Sequence, residues 1–79
     1  MTFDEAKQVI RNNIQSIDAL IMKPDEIWLA PDNESQKDFI ERIFKDKVVS
    51  DYKDVYRMKS LPGVEITFQE YTVTLKSVF

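Results

Sequence analysis

The sequence has no histidine and no cysteine, and Gly63 is its only glycine. The first two absences remove the side chain that titrates near neutral pH, the thiolate nucleophile and the two commonest zinc ligands. Disulfide staples are excluded with them. A single glycine rules out a phosphate-cradling loop of the P-loop or dinucleotide-binding kind, because each needs several. Long apolar runs are also missing: none exceeds four residues, as in Ala19–Met22, against the ~20 that span a bilayer. No basic stretch precedes an apolar one, so no secretory leader is expected and the cytoplasm is the expected compartment. Carboxylates, lysines, tyrosines and hydroxyls remain for catalysis, and none forms a cluster of recognisable spacing. No catalytic residue, cofactor or metal is expected, and the chain reads as non-enzymatic.

What is present describes a small folded domain. The chain is 79 residues long, 43% hydrophobic and 32% charged, which is globular rather than disordered composition. A single domain of this size buries only about 60–65% of its unfolded surface, so its elements must be well patterned. Net charge is −3, too mild to mimic a nucleic acid by charge alone. Residues 1–36 hold seven acids and three bases, whereas residues 37–59 hold seven bases and five acids. Either opposed patches or a mixed-charge helix surface accounts for that distribution.

The first helix opens on a capping box, Thr2-Phe3-Asp4-Glu5. Phe3, Ala6, Ile10, Ile14, Ile17 and Ile21 recur at spacings of three and four, with Val9 and Leu20 beside them, the pattern of one helix face. Lys23-Pro24 ends it, although Asn12, Asn13 and Ser16 allow a kink or an early end near residue 15. Asp25–Ala30 then reads as a short strand with Ile27 and Leu29 on one face and Trp28 on the other. A second helix follows Pro31, capped by Asp32 or Asn33 with Glu34 in its first turn, and buries Phe39, Ile40, Ile43, Phe44 and Val48. A short third helix is expected after a break at Val48-Val49, with Ser50 or Asp51 as its cap; continuation of the second helix through residues 49–60 is the alternative.

Residues 64–75 alternate as a hairpin. A turn at Gln69-Glu70 would oppose Phe68 to Tyr71, Ile66 to Val73 and Val64 to Leu75, with Thr67 facing Thr72 and Glu65 facing Thr74 on the other side. Gln-Glu is a poor two-residue turn, so a four-residue loop in the same register stays open. The expected fold is α+β: two main helices, plus a short third, on one face of a three-stranded, mostly antiparallel sheet. Ile10, Ile14, Ile17, Ile40, Phe44, Ile66, Phe68 and Val73 are its expected core.

Four features bear on function. Trp28, if Ile27 and Leu29 face the helices, lies on a solvent face with Glu65, Thr67, Thr72, Thr74 and Lys76, where a tryptophan serves as an interface anchor. Tyr52, Lys53, Tyr56, Arg57 and Lys59 interleave aromatics with bases and form a candidate nucleic-acid surface, diluted by Asp51 and Asp54. Asp25-Glu26 and Asp32-Glu34 offer oxygen ligands, but with no EF-hand spacing they read as helix caps and surface charge. Glu65 and Lys76 lack the second metal-binding carboxylate of a nuclease-like site. The small α+β build has the general look of bacterial or bacteriophage accessory proteins that bind one host protein. The expected function is therefore a stoichiometric protein-binding module, inhibitor or modulator, acting as a monomer or homodimer. The alternatives are a nucleic-acid-binding regulator and a structural homodimer formed through sheet edges or faces.

Overall fold

A computed structural model describes residues 1–78. Helix α1 spans Phe3–Asn12 and opens on the expected capping box, with the Glu5 amide donating to the Thr2 hydroxyl (3.1 Å) and the Thr2 amide to the Glu5 carboxylate (2.8 Å). It stops at Asn13, whose side-chain amide donates to the Val9 carbonyl. A single 3-10 turn, Ile14–Ser16, leads into strand β1, Ile17–Met22. The expected run of the helix to Lys23-Pro24 is thus corrected in favour of the early end that Asn12, Asn13 and Ser16 allow. Ile17, Leu20 and Ile21 do recur at helical spacing, but a bulge between Ile17 and Ala19 gives a strand the same sequence pattern. The bulge turns Leu20 and Met22 toward the core and leaves Ile21 outside; Ile14, expected in the core, is 49% exposed.

Strand β2, Glu26–Pro31, pairs antiparallel with β1 and lies where a strand was expected. Helix α2, Gln36–Phe44, starts later than the sequence suggests. Ser35 is its N-cap, accepting from the Asp38 amide, while Asn33 adopts a left-handed turn conformation and Glu34 binds Arg42. Its stripe of Phe39, Ile40, Ile43 and Phe44 is buried as expected, and Val48 just beyond is buried too.

The largest correction follows. Over residues 49–60 no helix forms, and α2 does not continue. Residues 49–58 make strands β3 (Val49–Tyr52) and β4 (Val55–Met58), and β5 (Leu61–Phe68) and β6 (Val73–Ser77) complete the sheet. The sheet therefore has six strands, not three, in the order β1-β2-β6-β5-β4-β3, every neighbouring pair antiparallel. β-branched Val49 and Val55 and the aromatic tyrosines fit a pleated surface better than a helix. Pairing with β5 supplies the partner that local pattern does not display.

The β5–β6 hairpin keeps the expected faces but is displaced by two residues. Phe68 opposes Val73, Ile66 opposes Leu75, Thr67 opposes Thr74 and Glu65 opposes Lys76, around a four-residue loop. Thr72 lies in that loop rather than in β6. Both helices cover one sheet face, and Ile27, Leu29, Met58, Leu61, Val64, Ile66, Val73 and Leu75 meet Ala6, Ile10, Phe39, Ile40, Ile43 and Phe44 in one core. Of the expected core, Ile17 and Phe68 are half-buried at its margin.

Candidate functional site: the outer face of the sheet

Strand alternation decides the orientation of Trp28. Its neighbours Ile27 and Leu29 are 0% and 1% exposed and point at the helices, so the indole stands on the opposite, uncovered face, 37% exposed. Across the ladder Trp28 pairs with Ile21 of β1 on one side and Thr74 of β6 on the other. Ile21 is 58% exposed. Trp28 and Ile21 border a shallow depression of about 80 Å³ lined also by Ala19, Ala30 and Thr72. Tyr71, beside Thr72 in the β5–β6 loop, is exposed as well.

Next to this apolar row runs a charged one. Lys76 stands between Glu26 and Glu65 in register, and Arg57 continues the row from β4. Arg57 binds Asp51 at 3.1 Å and Glu65 at 3.4 Å. Such half-exposed pairs are worth only about 0.2–1 kcal/mol each. Their effect is to occupy Arg57 and Glu65 with one another.

The threonines are occupied too. Gln69, at the start of the β5–β6 loop, folds its side chain over them. Its amide nitrogen donates to the Thr67 hydroxyl (3.1 Å), and its amide oxygen accepts from Thr72 (3.1 Å) and Thr74 (3.0 Å). Gln36 of α2 donates to the carbonyls of Gln69 and Glu70 and holds the loop from the helix side. Thr67, Thr72 and Thr74 therefore form an internally bonded rim rather than free polar anchors. Neither Gln69 nor Ile21 stood out in the sequence. Gln69 has no local signal, and the helical spacing of Ile14, Ile17 and Ile21 hides the strand-like run Ile17–Met22.

The second candidate surface is not assembled. Tyr52 and Tyr56 are not one helical turn apart but lie on adjacent strands, with Tyr52 opposite Val55 and thus on the other face from Tyr56. Tyr56 faces the core and meets the Phe68 ring edge-on, centroids 5.1 Å apart. Lys53 sits in the β3–β4 turn and Lys59 in the turn before β5, while Arg57 is bracketed by carboxylates. The five residues share no stacking platform.

Among the acids, Glu26 pairs with Lys23 (3.8 Å) and Glu34 with Arg42 (2.9 Å). Among the described residues, no three acidic side chains converge as a metal site, and no helix is long and apolar enough to cross a membrane. Comparison with family models, curated proteins and solved structures finds no significant match.

Proposed function

We propose that this chain is a non-enzymatic protein-binding module that acts stoichiometrically, as an inhibitor or modulator, on a partner protein in the cytoplasm. The observation that carries the reading is the exposed pair of Trp28 and Ile21, side by side on a sheet face that the helices leave open. More than a third of Trp28 stays in water in the free domain, and burial against a partner recovers that apolar area. The surrounding threonines are bonded to Gln69 and Glu65 to Arg57, so they form a polar rim around this anchor. The occupant that suits it is a protein surface offering an apolar cleft.

Two measurements test this. In the free protein, Trp28 fluorescence is expected to be red-shifted and quenched by acrylamide; blue-shifted, protected emission would sink the proposal before any partner is found. Trp28→Ala is expected to leave the thermal melt within a few degrees while weakening capture of the partner from cell extract by about 2 kcal/mol or more. Salt separates this reading from nucleic-acid binding. Around six phosphate contacts would weaken binding about a thousandfold between ~50 and ~200 mM salt, whereas an apolar anchor is little affected.

A further inference from the structure

The two edges of the sheet are unlike. β3, at one edge, is four residues long, is broken by a bulge between Ser50 and Tyr52 and runs into a left-handed Lys53. Asp51 within it is held by Arg57. Short, bulged and charged is how an edge resists another strand. β1, at the other edge, is six residues long and carries one charge, Asp18, within its bulge. From Ala19 to Met22 it runs in unbroken register with β2, and its outer rim offers backbone groups for pairing. Ile21 is exposed, and Leu20 and Met22 are only half-covered.

We infer that β1 pairs antiparallel with β1 of a second copy of this chain, joining two six-stranded sheets into one continuous sheet about a two-fold axis at Ile21. The side chains set the register. Opposed residues in an antiparallel pair share a face, so self-pairing must match outer to outer and inner to inner. Centred on Ile21, it sets Ile21 against its own copy on the outer face and Leu20 against Met22 of the second copy on the core face. Lys23, which is 3.8 Å from Glu26 of its own chain, then lies against Ala19 of the second copy, beside the bulged Asp18 of that copy, and the same contact repeats by symmetry. Centred on Leu20 instead, Met22 would face Asp18 and Ile17 would face Lys23, charge against apolar at both ends. β1 is thus complementary to itself in one register, in shape and in charge. The pairing also joins the two apolar rows into one, Trp28–Ile21–Ile21–Trp28. The inference does not rest on the proposed partner binding, since Trp28 stays on the outer face in the paired form.

Sedimentation velocity across roughly micromolar to millimolar protein tests it. The wild-type chain is expected to shift from monomer to dimer. Ile21→Lys places like charges at the axis and is expected to weaken dimerisation at least about tenfold. Asp18→Lys and Lys23→Asp are each expected to weaken it, and the two together to restore it. All these positions are exposed, and circular dichroism melts check that each variant folds. A wild-type chain that stays monomeric throughout overturns the inference. So does a dimer indifferent to Ile21→Lys, or charge reversals that weaken singly without mutual rescue.

Discussion

Two of the three left-handed positions among the described residues carry lysine, where turns ordinarily use glycine or asparagine. Asn33, Lys45 and Lys53 hold left-handed backbone with φ of 57°, 55° and 47°, while Gly63 lies within β5 and has no positive φ. Lys45 ends α2 in this conformation, at a position that glycine fills most easily. A side chain there costs about 1–2 kcal/mol, partly offset by the extra freedom glycine has when unfolded. Lys45→Gly is therefore expected to stabilise the domain by about 0.5–1 kcal/mol, read as a higher urea midpoint at unchanged slope. No gain would mean that Lys45 is held by contacts that outweigh its backbone strain. The capping box and Trp28 were legible at this scale because each depends on near neighbours. The Gln69 bridge across three threonines was not, because Thr74 comes within reach only after the hairpin has closed.

At the scale of elements, periodicity identified α1, α2, β2 and the β5–β6 pair, and it misled at β1 and β3–β4. Ile14, Ile17 and Ile21 fit a helix face, yet Ile14 lies in a 3-10 turn, and the bulge beside Asp18 sets Ile17 and Ile21 on opposite faces of a strand. Tyr52 and Tyr56 likewise fit a helical turn, yet they belong to different strands and different faces. The two tyrosines separate the readings experimentally. Tyr56→Ala removes a ring packed on Phe68 at the core margin and is expected to cost about 2–4 kcal/mol. Tyr52→Ala, at an edge and 53% exposed, is expected to stay within about 0.5 kcal/mol. Equal losses in chemical denaturation would contradict the strand assignment. The hairpin shows a milder form of the limit: alternation set which side chains share a face, and loop length chose among registers two residues apart.

Over the whole molecule, the β2–β6 ladder joins residues 26–29 to residues 73–76 near the middle of the sheet, so neither half of the chain completes it alone. Asp46 ties two further parts together. Just beyond α2, its carboxylate accepts from the Ser60 amide before β5 (2.9 Å) and from the Lys47 amide (2.8 Å). The Ser60 amide first, then the Lys47 amide and nearby Lys59, hold its pKa below the ordinary carboxylate value, and the Thr2 amide and hydroxyl do the same for Glu5. Between the lowered folded values and the ordinary unfolded ones, the unfolded chain binds more protons. Stability from these groups is thus present above the unfolded pKa and lost as pH falls through the folded pKa. Melting temperature is expected to fall with acidification below roughly pH 4, and Asp46→Asn to flatten that slope. An unchanged acid limb in the variant would remove Asp46 from the linkage.

By itself the sequence determined what is local or compositional. It excluded histidine and thiol chemistry and glycine-rich phosphate loops, started α1 at its capping box, and set which face of β2, β5, β6 and α2 turns inward. It also set the helices on one side of an open sheet. These follow from side-chain type and from periods of two and 3.6 residues, which need no knowledge of distant chain. Tertiary structure decided the rest: that residues 17–22 and 49–58 are strands, that the sheet has six strands, and that Gln69 locks the outer-face threonines. Strands of four to six residues gain most of their stability from ladder partners and burial. Where those partners lie far along the chain, the local pattern leaves helix and strand equally served, and pairing breaks the tie.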